Sequence, residues 1–178
     1  MNWYPIIVKS KHHLFDLDIT QSFKRFPEVY FQVYLMQDDS VQIFWRTALS
    51  REEFYQVGSK AAKLCSEVQS LQKLSQTPEY YNEMEKVNPL QSAMMDERDS
   101  QIILRLFHGG LPKQYKDICG FNGHEFMLTI YGNHPQNLQF WCYVRPELTL
   151  AAEVINNIVQ KANLDPKFYG VQISNDAD

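Results

Sequence analysis

The sequence lacks several features that would assign it to a common functional class. No apolar run is long enough to cross a bilayer, and residues 1–5 (MNWYP) lack the basic and then apolar layout of a signal peptide. The three cysteines, at positions 65, 119 and 142, follow no CxxC spacing. These absences predict a cytoplasmic protein with reduced thiols and no membrane contact.

Clusters of lysine and arginine are also missing, and the negative charge is concentrated in one segment. The net charge is −4, from 21 acids and 17 bases. Residues 75–100 hold six of the acids and two of the bases, so the rest of the chain, with fifteen of each, is neutral. A nucleic-acid partner would need a basic surface, whereas a local acidic excess favours a basic protein partner. The alternative is a solvated helical face without a partner.

Residues 107–126 (FHGGLPKQYKDICGFNGHEF) concentrate the side chains that most often carry chemistry. The stretch has neither the GxxxxGK spacing of a phosphate loop nor the HExxH of a zinc protease. His108, Cys119 and His124 do not form a standard zinc-ligand spacing, so no metal or cofactor is predicted. A cysteine nucleophile at Cys119 could use His124 and Asp117. The expected role is nevertheless a glycine-rich joint between two strands.

A second group of polar residues lies near the N-terminus. His12 and His13 precede Asp16 and Asp18, whose spacing places both carboxylates on one side of a possible strand. Such a group could bind a metal ion, but a surface turn before a strand explains it better.

Alternating apolar and polar residues predict most of the strands. Two pairs are expected to form hairpins, one around residues 37–40 and one around residues 132–136, and a turn is expected over residues 10–13. The predicted strands are Trp3 to Lys9, Leu14 to Ile19, Glu28 to Met36, Val41 to Thr47, Gln101 to Phe107, His124 to Tyr131 and Asn137 to Val144, with an edge strand over Phe168 to Ser174.

Helices are predicted in the middle of the chain and near its end. Ser50 and Glu53 have capping-box spacing, and Thr77-Pro78 is typical of a helix start. Pro89 must end the second helix, after which a short third helix is expected through about Asp96. Thr149 is expected to cap a C-terminal helix. The apolar stripes that support these helices are Phe54, Val57, Ala61, Leu64, Val68 and Leu71, then Tyr80, Met84 and Val87, and finally Ala151, Val154, Ile155, Ile158 and Ala162.

This order of elements predicts one α+β domain over residues 1–178. The sheet should be mainly antiparallel, with a central long helix pair, a C-terminal helix and a frayed tail over about 174–178. If the first stripe is buried, Leu64→Ala should cost about 2 to 5 kcal/mol.

The acidic segment is the predicted partner-binding site. Adjacent tyrosines on a helix cannot both face the core, so we expect Tyr80 or Tyr81 to be an exposed anchor. We also expect Glu79 and Glu83 to share an exposed face, where Glu79→Lys with Glu83→Lys would leave the fold intact. If the partner docks elsewhere, the exposed side of the sheet around Tyr30, Gln32 and Tyr34 is the alternative. The predicted binding residues are Glu79, Tyr80, Tyr81, Glu83, Glu85, Asp96, Glu97 and Asp99.

One local motif resembles a known family. Residues 111–116 (LPKQYK), followed by Asn122-Gly123, are similar to the LPxxYK…NG signature of the SUKH superfamily, many members of which are bacterial immunity proteins that block a toxin. In that family the signature lies near the start of the domain, whereas here it lies in the second half of the chain, so the family's fold is not carried over. In broader character the chain resembles small acidic immunity proteins of contact-dependent inhibition systems.

These resemblances imply a non-enzymatic binding protein, specifically an immunity protein that neutralises a cognate toxin. A nuclease toxin has to be basic to hold its substrate, so an acidic surface would complement it. Two alternatives are a small enzyme that uses Cys119 and His124, and a structural or adaptor protein of a phage or plasmid.

Overall fold

The computed structural model describes residues 9–21, 26–65, 71–112, 124–132 and 135–174. Runs of strands are followed by runs of helices along the chain, with a 3-10 turn at Pro146–Leu148. The strands are β1 (Ser10–Gln21), β2 (Val29–Met36), β3 (Val41–Thr47), β4 (Gln91–Met94), β5 (His124–Ile130), β6 (Gln136–Trp141), β7 (Tyr143–Val144) and β8 (Gln172–Ile173). The helices are α1 (Arg51–Leu64), α2 (Leu71–Leu74), α3 (Pro78–Val87), α4 (Glu97–Gly109), α5 (Thr149–Lys161) and α6 (Pro166–Tyr169).

Six strands form one antiparallel sheet in the order β4-β3-β2-β1-β5-β6. The prediction of an α+β fold with a mainly antiparallel sheet is confirmed. Within the described residues, no helix combines the length and apolar character that a membrane crossing requires.

The β2–β3 hairpin forms as predicted. Alternate residues of both strands are buried, and Val33 pairs with Ile43 in register. In the turn, the Asp38 carboxylate accepts hydrogen bonds from the Ser40 backbone and hydroxyl, and Asp39 adopts a positive φ of 63°. Aspartate side chains favour both the hydrogen bonds within the turn and the positive φ, which is why a polar four-residue segment closes this hairpin.

The turn predicted over residues 10–13 is wrong, because β1 already begins at Ser10. His12 and His13 pair with Leu35 and Tyr34 of β2, and two register shifts follow the polar start of the strand. The second shift lies between His13 and Phe15, and Leu14 and Phe15 are both fully buried beside it. Cross-strand pairing therefore overrides the local turn preference. The strand predicted at Trp3 to Lys9 lies outside the described residues, apart from Lys9.

The main core lies between the sheet and helices α4 and α5. Apolar residues of the central strands, such as Leu17 and Phe31, pack with Leu106 of α4 and with Ile155 and Ile158 of α5. The predicted inward side of the C-terminal helix is confirmed: Ala151, Val154, Ile155, Ile158 and Ala162 are all buried.

The strand predicted over Gln101 to Phe107 is wrong, because these residues belong to α4. Asp96 caps this helix by accepting from the Asp99 backbone N–H at 2.9 Å. The buried residues are Ile102, Ile103 and Leu106, which is helical spacing. A continuous apolar run fits a strand or a buried helix equally well, and only packing separates them. The third helix predicted through Asp96 is also wrong, because Gln91–Met94 forms the edge strand β4.

Helices α1 and α3 pack together as the predicted central pair and enclose a second, smaller core. The capping box at Ser50 and Glu53 is confirmed, as are the Thr77 cap of α3 and its end at Asn88. The small core contains Val57, Ala61, Leu74 and Tyr80, with Met84 and Val87 packed against it.

The predicted α1 stripe is only partly buried. Phe54 is exposed, and Leu64, the last residue of the helix, is 63% exposed. The expected burial of Leu64, on which the predicted cost of Leu64→Ala depended, is therefore wrong. Val68 lies outside the described residues, and Leu71 belongs to the separate helix α2.

The C-terminal part contains the predicted β5–β6 pairing and two departures. Thr149 is not a cap: it is the first residue of α5, and its hydroxyl donates to the Pro146 carbonyl at 2.6 Å. The predicted edge strand from Phe168 begins instead as α6, which Asp165 caps, and only Gln172–Ile173 pairs as a strand, in parallel with β7. The predicted frayed tail beyond residue 174 lies outside the described residues.

Candidate functional site

The stretch predicted as a joint between two strands begins inside α4. Residues 113–123 lie outside the described residues, so Asp117, Cys119 and most of the SUKH-like motif do too. His124 begins β5, where its half-buried ring lies edge-on to Tyr169 with 6.1 Å between ring centroids. Burial lowers the pKa of His124, which favours the neutral form of its ring.

The exposed histidines His12 and His108 come together at one end of the sheet. They line a cleft of about 610 Å³ with Tyr131 and Gln136. The Gln136 side-chain oxygen accepts from the Leu111 backbone N–H at 2.8 Å, which holds the end of α4 against β6. Across the described parts of the chain, no group of three or more histidine, cysteine, aspartate or glutamate residues is arranged to hold a metal ion.

The predicted binding residues on α3 point largely inward. Tyr80 is 6% exposed and belongs to the small core, and Tyr81 is half-buried, edge-on to Tyr80. Glu83 is 7% exposed and accepts from Lys86. Tyr80 therefore cannot be the exposed tyrosine, which leaves Tyr81 as the only candidate, and the prediction that Glu79 and Glu83 share an exposed face is wrong. Tyr80 and Glu83 lie three residues apart, on the helix side that packs against α1.

The other predicted acids have local structural roles or nearby cations. Glu79 accepts from the Cys65 thiol at 3.3 Å, and Glu85 pairs with Arg46 of β3. The pKa of Glu79 is lowered by hydrogen bonds from its own backbone amide and from Cys65.

At the start of α4, Asp96 caps the helix, Asp99 accepts from Asn157 of α5 at 2.9 Å, and Glu97 is exposed. Asp96 and Asp99 line a cleft of about 600 Å³ that also contains Arg98 and Lys161. The α3 acids thus lie around the small core and the α4 acids beside α5. Glu83 and Glu85 of the first group pair with Lys86 and Arg46, and the cleft of the second group contains Arg98 and Lys161.

The sheet surface opposite α4 and α5 carries a different set of acids. Alternation along β1 buries Leu17 and Ile19 and turns Asp16 and Asp18 to the other side. The strand register places Asp18 between Tyr30 of β2 and Met127 of β5. Met127 is 45% exposed, so solvent reaches the centre of this surface.

A histidine stacked between two tyrosines lies at one end of this surface. The His13 ring centroid is 4.4 Å from those of both Tyr34 and Tyr131. His13 Nε2 lies 2.8 Å from Asp16 Oδ1, and the Tyr131 hydroxyl donates to Asp16 Oδ2 at 2.7 Å. His13 of β1 and Tyr131, which follows β5, therefore hold the Asp16 carboxylate in one orientation, with both oxygens engaged.

The second carboxylate on β1 is electrostatically strained. Burial raises the pKa of Asp18 from its ordinary value of 3.8 to about 6, and the nearby carboxylates of Asp16 and Glu28 add to the rise. The Tyr30 hydroxyl donates to Glu28 Oε2 at 2.6 Å, and burial together with this bond raises the pKa of Tyr30. Tyrosine hydroxyls thus donate hydrogen bonds to both Glu28 and Asp16.

We call this surface the acidic sheet face. Glu125 of β5 contributes a fourth carboxylate and accepts from Gln139 of β6. Among the described strand residues that share the face, Arg46 brings a guanidinium, which is already paired with Glu85 of α3. The acidic sheet face consists of Asp16, Asp18, Glu28 and Glu125 with the aromatic residues His13, Tyr30, Tyr34 and Tyr131.

The sequence contained part of this site. His13, Asp16 and Asp18 were expected either in a surface turn or as metal ligands. Tyr30 and Tyr34 were expected on an exposed sheet surface, which is wrong for Tyr34, because only 6% of its surface is exposed. Glu28, Glu125 and Tyr131 were missed as site residues. In the sequence, these three residues alternate with apolar residues that are buried in β2 and β5, and this alternation could have indicated that they lie on the other side of the sheet. Only the strand register brings them next to Asp16 and Asp18.

Comparison with protein-family models, with curated proteins and with solved structures found no match to this chain.

Proposed function

We propose that this chain is a non-enzymatic binding protein, specifically an immunity protein that neutralises a cognate bacterial toxin of a contact-dependent inhibition system. The partner is a basic toxin domain, such as a nuclease, and binding takes place in the cytoplasm without a cofactor. The observation that carries the proposal is the presence of partly exposed carboxylates on the sheet that accept hydrogen bonds from tyrosine hydroxyls, above all Asp16 and Glu28.

Electrostatics explains why such a surface suits this partner. A nuclease must present a cationic surface to hold phosphates. An acidic protein surface attracts that same region, speeds the encounter and then blocks access for the nucleic acid. Tyrosines add contact area with few rotatable bonds, so they lose little conformational entropy on binding.

The predicted acidic residues on α3 and α4 take a secondary part in this proposal. Glu79, Glu85, Asp96, Glu97 and Asp99 add negative potential that steers a basic partner from a distance. Tyr80 and Glu83 are buried, and in the proposal they support the α1–α3 packing.

Two other hypotheses about the function have less structural support. A cysteine enzyme would use His124 as a base; its ring lies beside Tyr169, and the proposed nucleophile Cys119 lies outside the described residues. No described contact favours a phage or plasmid adaptor over a toxin-binding protein.

The proposal is tested by co-expression with the toxin domain encoded by the adjacent gene. We expect the chain to restore growth and to co-purify with the toxin in a stoichiometric complex. Cys119→Ala should protect as well as the parent, because protection by binding needs no nucleophile, whereas an enzyme would lose protection. Growth arrest in the presence of the parent chain would refute the proposed function.

A further inference from the structure

The protein has two cores of very unequal size. The small core, enclosed by α1, α2 and α3, contains four buried residues, namely Val57, Ala61, Leu74 and Tyr80. The main core draws on five strands of the six-stranded sheet and on α4 and α5. Among the described residues, the two cores have no buried or packed side chain in common. We call α1, α2 and α3 together the helical arm.

The helical arm buries little apolar surface for its length. Phe54, Tyr55 and Leu64 of α1 are exposed, so the small core gains nothing from the larger part of these side chains. Buried apolar surface is the main source of stability, and parts of a fold that bury little of it open at a lower free energy than the rest. We therefore expect the arm to open more often than the sheet.

Polar contacts join the end of the arm to the edge of the sheet. Glu85 of α3 pairs with Arg46 of β3, and the Asn88 side-chain amide donates to the Thr47 carbonyl at the end of the same strand. Glu85 also accepts from the Leu90 backbone N–H at 2.9 Å, just before β4 begins. These contacts lie where the chain leaves β3 and where it returns to β4. We call Arg46, Thr47, Glu85 and Asn88 the latch.

The arginine of the latch is held in an incompletely satisfied state. Its side chain is only 13% exposed, and within the described part of the chain its buried Nε has no hydrogen-bond partner. Water would hydrate this group if the arm moved away, so burying it favours opening, whereas the charge of Glu85 favours the closed arm. The pair of Arg46 and Glu85 is therefore expected to set the balance between the two states.

We propose that the helical arm opens as one unit while the six-stranded sheet stays folded, and that the latch determines how often it does so. Opening separates α3 from β3, hydrates Arg46 and exposes the side of α1 that carries Val57 and Ala61. Strand β4 stays in the sheet, because Met95 behind it is buried in the main core and its N–H donates to the Val41 carbonyl at 2.9 Å. This opening is a property of the free chain and requires no partner.

Native-state hydrogen exchange, followed by NMR at neutral pH and low urea concentrations, measures the opening of each amide. In the parent chain we expect the amides of α1 and α3 to share one opening constant, at least about tenfold larger than that of the amides in β1 and β5. The arm amides should also depend less on urea than the sheet amides do, because a partial opening exposes less surface than complete unfolding.

Two substitutions and a control test the independence of the arm. Ile158→Val weakens the main core, which stays intact when only the arm opens, so sheet amides should exchange about threefold or more faster and arm amides less than about twofold faster. Glu85→Gln keeps the side-chain shape but removes the charge opposite Arg46. It should accelerate arm and sheet amides alike, by about threefold or more, because both openings break the latch. Glu97→Gln removes the same charge from an exposed position on α4 and should change arm exchange by less than about twofold.

The parent profile and the variants can each overturn the inference. Equal opening constants for arm and sheet amides in the parent would mean that the arm unfolds only with the whole protein, and equal acceleration of both by Ile158→Val would mean the same. If Glu85→Gln leaves arm exchange unchanged, or accelerates only the amides next to Glu85, the latch does not control a common opening. Thermal unfolding checks that each variant is folded, and the parent profile needs no variant.

Discussion

Replacing Asp18 by asparagine removes a charge that the fold holds at a cost. The side chain lies half-buried on β1, near Asp16 and Glu28. Burial and these two carboxylates raise its pKa from 3.8 to about 6, so at neutral pH the folded protein carries an ionised group in an unfavourable place. Asparagine has nearly the same shape and no charge, so the substitution changes the electrostatics and little else.

The size of the effect follows from the pKa. The rise from 3.8 to about 6 corresponds to roughly 3 kcal/mol of unfolding free energy if nothing screens it. Because Asp18 is only half-buried, water screens much of this interaction. We therefore expect Asp18→Asn to raise the free energy of unfolding at pH 7.5 by about 1 to 1.5 kcal/mol.

The direction of the pKa shift of Asp18 determines how the stability difference between parent and variant changes with pH. A carboxyl group whose pKa is raised in the folded state contributes stability at pH values below its ordinary pKa, and this contribution is lost as the pH rises through about 6. Parent and variant should therefore be nearly equal in stability at pH 4 and should separate between pH 4 and pH 6, with the variant more stable above pH 6.

Urea denaturation at pH 4 and pH 7.5 measures both ends of this range. Glu97→Gln, at an exposed position on α4, is the control and should change stability by less than about 0.5 kcal/mol at either pH. An equal gain for Asp18→Asn at both pH values would refute the electrostatic explanation, and a loss at pH 7.5 would show that the carboxylate stabilises the fold.

Three further substitutions test the packing. Leu64→Ala should cost less than about 0.5 kcal/mol because the side chain is exposed, whereas Leu106→Ala in the main core should cost about 2 to 5 kcal/mol; chemical denaturation compares them, and similar costs would contradict the assigned burial. Ser50→Ala should lower the free energy of unfolding by about 1 kcal/mol, since the α1 capping box is lost, and should reduce the helical circular dichroism signal of the partly unfolded protein. An unchanged free energy of unfolding would mean that the cap does not stabilise the fold. Glu83→Lys should destabilise the protein by about 2 kcal/mol or more, because it buries a cation near Lys86, and a thermal midpoint equal to that of the parent would place Glu83 at the surface.

The fold was predictable wherever a few neighbouring residues determine the structure. The β2–β3 hairpin follows from alternation on both sides of a polar turn, and the starts of α1 and α3 follow from side chains that satisfy first-turn amides. The start of β1 and the helix α4 were not predictable in this way. His12 and His13 are polar enough for a turn, and the apolar run in α4 suits either structure, so long-range packing decides both.

The same distinction between local sequence and long-range packing applies to the functional site. The sequence by itself determined which residues are acidic, that residues 75–100 hold the charge excess, and that Asp16 and Asp18 would share one side of a strand. Only the tertiary structure decided that Glu83 is buried and paired, and that Asp18 lies opposite Tyr30 of another strand and near Glu28, which precedes that strand. A residue carries its charge wherever it lies along the chain. The free-energy cost of that charge in the folded state, and its accessibility to a partner, depend on the neighbours that strand register and burial place around the residue.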